Sequence, residues 1–282
     1  AYSALNTYHC RANAGFAMGN MTLAIRLIPI RIRSLVTLGL PPVCEELCDK
    51  RKGLVIVTGP SGSGKSTTLA AMVDSINQSR RAKIVCIEDP IEYVYTNKNS
   101  FIIQRELGSD TVSFADALKS AVRQDPDVIM LGEIRDADSI AMAISAAETG
   151  HLVLTTMHTM DAVEAVNRIV DSYPAGRQEQ VRCQLAECLV GVVAQHLLPR
   201  KDGKGRVVAT EVLVPTQAIR NMIRTGSFDA MRVAMEMGGR YGMHTMDQSL
   251  NRFVEKRIIA EELAMAYSRT PRVLRSKTVI NP

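Results

Sequence analysis

The middle of the chain alternates short apolar runs with longer stretches of helical character. Four runs are apolar at nearly every position, which is typical of strands buried on both faces of a sheet: Leu54–Thr58, Lys83–Ile87, Val128–Leu131 and Leu152–Thr156. Three helical stretches lie between these runs: one begins near Lys65, one spans Ser113–Gln124 with Ser113 as N-cap, and one spans Asp138–Thr149 before Gly150. This alternation predicts an α/β fold with a mainly parallel sheet covered on both faces.

Further elements are predicted on either side of this alternation. They are strands at 8–13, 22–28, 101–105 and 207–214, a helix at 43–50, and helices up to Ala266 before a basic tail through Pro282. Because about forty residues cannot form a stable sheet domain alone, we interpret residues 1–33 as the end of a sheet domain whose beginning is missing. We expect a linker at 34–40, the α/β core at 41–214 and a helical C-terminal region at 215–282.

Composition and charge favour a soluble globular protein. Of 282 residues, 46% are hydrophobic and 22% are charged, which argues against a disordered or fibrous chain. The net charge of +5 is spread along the chain and 4% of residues are aromatic, so a solvated basic surface is favoured over nucleic-acid binding. Arg26, Arg31 and Arg33 interrupt the apolar segment Met21–Leu40, which is therefore neither a membrane span nor a signal peptide.

The six cysteines indicate a reducing compartment. No pair has the C-x-x-C spacing of a zinc site. Cys44 and Cys48 are four residues apart, so they could share one helix face and bind a metal, but buried free thiols are the favoured interpretation. We therefore expect a cytosolic protein.

A phosphate-binding motif follows the first buried strand. Gly59, Gly64, Lys65 and Ser66 have the G-x-x-x-x-G-K-S spacing of a Walker A loop between a predicted strand and a predicted helix. Glycines let backbone N–H groups approach an anion, and the helix directs its positive end at the same phosphates. Residues predicted to hold the nucleotide are Gly59, Pro60, Ser61, Gly62, Ser63, Gly64, Lys65, Ser66 and Thr67. Lys65 would reach the β- and γ-phosphates and Ser66 would bind Mg²⁺, whereas a ligand-free glycine turn is disfavoured.

Acidic residues follow two other predicted strands. Glu133 occupies a Walker B position and is expected to hold Mg²⁺ directly or through water, although Gly132 replaces the usual aspartate. Glu88, Asp89 and Glu92 form a second cluster, in which Asp89 before Pro90 suits a turn. For Glu92 we favour a role as general base or water orienter over that of a solvated charge.

Two histidines bracket the fourth predicted strand. His151 and His158 lie at opposite ends of it, so at most one can face the γ-phosphate directly. A lone histidine is more often structural. His158, at the carboxyl end of the strand, is nevertheless a candidate phosphate sensor because ligands of parallel sheets bind at that edge.

Five segments, taken together, resemble the PilT family, the retraction ATPases of type IV pili within the secretion-ATPase superfamily of RecA-like hexamers. They occur in family order and are GPSGSGKSTTLAAM (59–72), IEDPIEY (87–93), RQDPDVIMLGEIRD (123–136), AAETGHLVLTTMHT (146–159) and TQAIRNMIRTG (216–226). The resemblance implies a RecA-like P-loop NTPase core, preceded by the remnant of a PAS-like α+β domain and followed by the helical C-terminal region. It extends from about Arg26 to Pro271.

The resemblance also implies roles for individual residues. The matched positions are Lys65 and Ser66 for ATP and Mg²⁺, Glu92 for catalysis, Glu133 for the Walker B glutamate, and His151 and His158 for the histidine box. Arg11 and Arg26 lie in segments that resemble phosphate-facing arginines of the front domain. The segment 218–224 resembles a motif that the family needs for retraction but not for ATP hydrolysis.

The implied function is an ATP-hydrolysing hexameric motor for pilus retraction and twitching motility. Such a motor would work in the cytoplasm at the inner face of the cell membrane, peripheral to it, on the inner-membrane platform protein of the pilus and without binding nucleic acid directly. Pilus-extension and type II secretion ATPases usually carry a four-cysteine metal loop that this sequence lacks. They remain alternatives, together with a nucleic-acid-stimulated RecA-like motor and a non-hydrolysing nucleotide-binding regulator.

Overall fold

The structure is a computed structural model that describes residues 2–4, 8–29, 31–134 and 136–270. Within these residues the chain forms two separate β-sheets and a set of helices. The predicted basic tail from residue 271 to Pro282 lies outside the described residues. No helix in the described part of the chain is both long and apolar enough to cross a membrane.

The first sheet is antiparallel and has three strands. They are β1 (Tyr2–Ala4), β2 (Tyr8–Ala17) and β3 (Asn20–Pro29), in that spatial order. The predicted strands at 8–13 and 22–28 are thereby confirmed and extended into a long hairpin that turns at Met18 and Gly19. Gly19 has a φ of +79°, which suits the tight reversal between two directly paired strands.

The predicted linker contains a helix. Helix α1 (Leu35–Leu38) begins at Ser34, whose side chain accepts a hydrogen bond from the Thr37 amide, and ends at Gly39 in the left-handed conformation. Leu35 is buried against the core, so this segment is packed rather than extended. Helix α2 (Val43–Cys48) follows and buries the two free thiols Cys44 and Cys48, as expected from their spacing.

The second sheet has seven strands and carries the core. In chain order these are β4 (Gly53–Thr58), β5 (Lys83–Glu88), β6 (Phe101–Glu106), β7 (Val128–Leu131), β8 (Leu152–Met157), β9 (Leu189–Pro199) and β10 (Arg206–Leu213). Their spatial order is β10-β9-β4-β8-β7-β5-β6. All neighbouring pairs are parallel except β9 and β10, which form an antiparallel hairpin at one edge. The predicted parallel-dominated sheet is confirmed.

Helices cover both faces of this sheet. In chain order the remaining ones are α3 (Lys65–Ser79), α4 (Phe114–Ala121), α5 (Ala137–Glu148), α6 (Ala162–Asp171), α7 (Ala175–Cys188), α8 (Gln217–Thr225), α9 (Phe228–Met237), α10 (Met246–Glu255) and α11 (Glu261–Tyr267). Successive side chains of β4 point to opposite faces, so Val55 and Val57 pack with α1, α2 and α3, whereas Leu54 and Ile56 pack with α4 to α7. Helices therefore bury both faces of the sheet away from solvent, which explains why these strands are apolar throughout.

Three elements between the fourth predicted strand and residue 206 have no counterpart in the sequence prediction. They are α6, α7 and β9. Helix α7 passes directly into β9 at Leu189 with no glycine or proline between them, so no turn signal marks the boundary. The other boundaries differ by a few residues, and Ser113 caps α4 as predicted.

Candidate active site

The loop between β4 and α3 has a backbone that requires glycine. Gly59 has a φ of +145° and Gly64 a φ of +94°. A Cβ atom at Gly59 would lie 2.3 Å from the carbonyl oxygen of Gln195 and 2.7 Å from Ser63 Oγ. The loop can therefore pack closely on β9 while it curves around the first turn of α3, the arrangement that binds anions at a helix N-terminus.

The ammonium group of Lys65 lies at the mouth of this loop. Its Nζ donates hydrogen bonds to the carbonyl oxygens of Gly59, at 2.9 Å, and Pro60, at 3.1 Å. Burial lowers the pKa of Lys65, and the nearby carboxylates of Glu133 and Glu92 oppose that shift. The lysine is thus placed between the phosphate-binding loop and two acids.

One cavity brings the predicted loop, acids and histidine together. It has a volume of about 630 Å³. The predicted site residues on its wall are Ser61, Gly62, Gly64, Lys65, Ser66, Thr67, Glu92, Glu133 and His158. The other three predicted loop residues, Gly59, Pro60 and Ser63, lie behind this wall, where Gly59 and Pro60 supply the carbonyls that hold Lys65.

His158 connects the lysine to the Walker B acid. Its Nε2 lies 3.1 Å from Glu133 Oε1, and its Nδ1 lies 3.5 Å from Lys65 Nζ. The next residue, Thr159, is fixed to the end of β4, because its amide donates to Thr58 Oγ1 at 3.0 Å and its carbonyl accepts from the same hydroxyl at 2.8 Å. His158 is therefore held between Lys65 and Glu133, close enough for a change in the charge of a bound ligand to alter its contacts with both.

His151 does not join this cavity. It precedes β8 at the amino end of the strand, and its Nδ1 lies 2.9 Å from the carbonyl oxygen of Ala146. Seven residues of extended chain separate it from His158, which corresponds to roughly 20 Å. The strand thus carries the two histidines to opposite edges of the sheet, and the catalytic role of His151 stays a prediction.

The two arginines of the front sheet remain predictions. Arg11 on β2 and Arg26 on β3 are cross-strand partners in the hairpin register. Their side chains lie outside the part of the chain that the structure describes. The backbone thus places the two positions side by side.

Two site residues were not predicted from the sequence. The Tyr93 hydroxyl lies 3.0 Å from Thr67 Oγ1 and joins the acidic segment to α3. Gln195 on β9 accepts from Thr68 Oγ1 at 2.9 Å and donates to the Ser63 carbonyl at 2.7 Å, which fixes the phosphate-binding loop from behind. Gln195 is 1% exposed, so its polar side chain within an apolar strand was the signal that could have identified it.

Glu88 is the buried member of the acidic cluster. It is 6% exposed, and its Oε1 accepts a hydrogen bond from Gln104 Nε2 at 3.0 Å. Burial raises the pKa of Glu88 to about 7, although the hydrogen bond from Gln104 acts in the opposite direction. Near neutral pH this carboxyl group is therefore partly protonated.

Glu88→Gln is expected to reduce the pH dependence of stability. The unfolded chain releases the Glu88 proton near its ordinary pKa, whereas the folded protein keeps it until about pH 7. The folded state therefore binds more protons in that window, and the free energy of unfolding falls as the pH rises through it and levels off above pH 7. The variant should have a higher Tm than the wild type at pH 8, with a smaller difference at pH 5.

Thermal unfolding from pH 4 to pH 8 measures this effect, since 1 kcal/mol shifts Tm by about 2–4 °C in a domain of this size. Glu236→Gln, which removes an exposed carboxylate from α9, is the matched control. Parallel Tm profiles for wild type and Glu88→Gln would contradict the assignment.

Comparison with known proteins identifies the family. The profile of the type II/IV secretion system protein family matches residues 17–278. A twitching motility protein of Neisseria gonorrhoeae is 48% identical over 260 residues, covering 92% of this chain and 69% of the relative. The chain belongs to the PilT family. The type IV pilus retraction ATPase PilT of Pseudomonas aeruginosa is 45% identical over 246 residues, covering 87% of this chain and 71% of the relative.

A solved structure of the family has the same fold. The crystal structure of the pilus retraction motor PilT with bound ADP superposes with a TM-score of 0.88 at 47% identity, covering 95% of this chain and 76% of that one. The predicted resemblance to the PilT family and the RecA-like α/β fold are thus confirmed. Whether the front sheet is the remnant of a PAS-like domain stays a prediction.

Proposed function

We propose that this PilT-family chain hydrolyses ATP in the cavity at the carboxyl edge of its parallel sheet. The observation that carries the proposal is the convergence of the phosphate-binding loop, Lys65, Glu92, Glu133 and His158 on that one cavity. The close approach of Gly59 to β9 requires glycine in this loop, and glycines let backbone N–H groups approach an anion. The PilT structure with bound ADP supports a nucleotide as the ligand.

Ser66 and Glu133 are the residues that would hold Mg²⁺. Both line the cavity, and no group of three or more histidine, cysteine or acidic side chains in the described ranges could hold a metal by itself. This fits Mg²⁺, which usually takes one or two protein oxygens and completes its shell with substrate phosphates and water. When bound, Mg²⁺ would neutralise the charge that develops on the phosphates.

Glu92 is the residue that we assign to the attacking water. It lines the cavity together with Lys65, whose pKa is lowered by burial, and the charge of Glu92 opposes that shift. A carboxylate at this position can orient a water molecule and accept its proton, while Lys65 and the loop amides bind the phosphates. His158, in contact with both Lys65 and Glu133, would respond to loss of the terminal phosphate.

We further propose that the hydrolysis drives retraction of a type IV pilus by a homo-hexameric ring. The supporting observation is the 45–48% identity to proteins named for twitching motility and pilus retraction. The ring would lie in the cytoplasm, peripheral to the inner membrane, and act on the platform protein of the pilus. In this scheme residues 1–33 belong to a PAS-like front domain, 34–40 link it to the core at 41–214, and 215–282 form the helical C-terminal region.

A phosphate-release assay on the purified full chain tests this proposal. We expect Mg²⁺-dependent ATP turnover that single-stranded DNA does not change. Turnover that requires DNA and weakens steeply with salt would favour the nucleic-acid motor. Nucleotide binding without phosphate release would favour the regulator.

Arg220 is expected to matter for retraction and for stability but not for the chemical step. Its guanidinium donates to the carbonyl oxygens of Glu187 at 3.0 Å and Leu189 at 3.1 Å, and also to that of Ala186, all at the C-terminal end of α7. Arg220→Ala removes these hydrogen bonds, and a loss of about 1–3 kcal/mol in the free energy of unfolding is expected. Because Arg220 does not line the nucleotide cavity, kcat should change little, while pilus retraction in cells should stop.

Thermal unfolding, phosphate release and a twitching assay measure the three effects. Arg177→Ala, which removes an exposed arginine from α7, is the matched control and should be neutral in all three. Arg220→Lys should not restore stability fully, because one ammonium cannot replace a planar fork that reaches three carbonyls. Normal retraction by Arg220→Ala would refute the assignment.

A further inference from the structure

A buried acid lies three residues beyond His158. Asp161 is 4% exposed and caps α6, where its Oδ1 accepts a hydrogen bond from the Glu164 amide at 2.7 Å. Its other oxygen, Oδ2, forms ion pairs with Arg232 at 3.3 Å and with Arg269. A carboxylate at this depth needs such partners, because an uncompensated buried charge is strongly unfavourable.

Both arginines come from the C-terminal helical region. Arg232 lies on α9, and Arg269 follows the end of α11. The backbone around Arg269 is fixed as well, since its amide donates to Asp247 Oδ1 at 3.0 Å and the Thr270 amide donates to Asp247 Oδ2 at 3.1 Å. A movement of the C-terminal helices would therefore move the two guanidinium groups relative to Asp161.

Asp161 is connected in turn to the nucleotide cavity. Thr159 Oγ1 donates to the Asp161 carbonyl at 3.3 Å, and the Thr159 backbone is fixed to Thr58 at the end of β4. His158, which precedes Thr159, contacts Glu133 and Lys65. The four residues 158–161, here called the histidine loop, are thus held at one end by the cavity and at the other by the two arginines.

We propose that Arg232 and Arg269 are positioning residues that hold the histidine loop in its hydrolysis-competent geometry. Neither arginine lines the nucleotide cavity, so both act on it through Asp161. A shift of the C-terminal helices that separates the arginines from Asp161 releases His158 from Glu133 and slows hydrolysis. The inference rests on the proposed ATPase function of the same cavity.

A KM-against-kcat comparison tests this role on the full chain. Arg232→Gln and Arg269→Gln should each lower kcat with little change in KM, and the double variant should lower kcat roughly tenfold, which corresponds to about 1.4 kcal/mol. Asp161→Asn keeps an N-cap acceptor but removes the ion pairs, so it should match the double variant. Arg240→Gln, at an exposed arginine of the same region, is the matched control and should leave kcat unchanged.

A double-mutant cycle separates positioning from simple stabilisation. In a His158→Ala background the arginine substitutions should have no further effect on kcat, because the side chain that they position is absent. Arg232→Lys should restore part of kcat, since a single ion pair can re-form. If the double arginine variant has a strongly lowered Tm, the same comparison of kcat is made with the single arginine variants and with Asp161→Asn.

The possible outcomes distinguish this inference from the proposed function. The positioning role alone would be overturned if the wild type hydrolyses ATP and kcat is unchanged in Asp161→Asn and in both single arginine variants. Losses in kcat that add fully to the loss in His158→Ala would overturn it too. A wild-type chain that releases no phosphate would overturn the proposed function and this inference together.

Discussion

Lys65→Ala is expected to lower ATP turnover by at least about a hundredfold, to the background of the assay. The Lys65 ammonium is the cation that the phosphate-binding loop itself holds, through the carbonyls of Gly59 and Pro60. Alanine removes the charge that would stabilise the β- and γ-phosphates as negative charge moves between them. The substitution also removes a contact of His158, the candidate phosphate sensor, so both phosphate binding and the position of His158 are affected.

Phosphate release under saturating ATP and Mg²⁺ measures this effect, and binding of a fluorescent nucleotide measures the accompanying loss of affinity. Lys52→Ala removes an exposed lysine just before β4, on the opposite edge of the sheet, and should behave as the wild type. Turnover by Lys65→Ala within a few fold of the wild type would mean that hydrolysis occurs elsewhere. Thermal unfolding of the variant establishes that it is folded.

Glu92→Gln is expected to bind nucleotide with nearly unchanged affinity and to lower kcat by about 10²- to 10⁴-fold. Glutamine keeps the size of the side chain and its capacity to accept a hydrogen bond, but it cannot take a proton from water. Since Lys65 and the loop amides would provide most of the phosphate contacts, ground-state binding should survive. The expected result is a separation of binding from hydrolysis that Lys65→Ala does not produce.

Nucleotide titration and single-turnover phosphate release on the same preparation distinguish these two steps. Glu45→Gln, at an exposed position on α2, controls for the loss of one negative charge. A Glu92 variant that turns over normally would remove this residue from the catalytic step. Glu88, Asp89 and Glu133 also line the cavity, and Glu133, which contacts His158, would then be the next acid to test.

Local sequence patterns accounted for most of the core. Strands buried on both faces must be apolar throughout, so the strands β4, β5, β7 and β8 were recognisable from single short runs. The phosphate-binding loop was equally recognisable, because glycine, lysine and serine at fixed spacing reflect a backbone conformation that few other residues can adopt. The acidic residues followed from the rule that ligands bind at the carboxyl ends of parallel strands.

Patterns of this kind fail where the deciding partner is distant in the chain. Gln195 stands out as a polar residue within an apolar strand, but nothing near it in the sequence shows that its partner is the phosphate-binding loop. In the same way, nothing near Arg220 shows that its partners lie at the end of α7. The predicted linker at 34–40 also contains a helix that is buried against the core, which its short apolar pattern did not reveal.

By itself the sequence determined which residues we propose for the chemistry, since Lys65, Ser66, Glu92 and Glu133 are specified by residue type and spacing. The sequence also indicated that His158, and not His151, lies at the carboxyl edge of the sheet. Only the tertiary structure decided what His158 contacts there, because Lys65 and Glu133 lie far from it in the chain. It likewise decided that Arg232 and Arg269 meet Asp161. A side chain's charge is a property of its residue type, but its partner is set by the packing of helices that lie far apart in the chain.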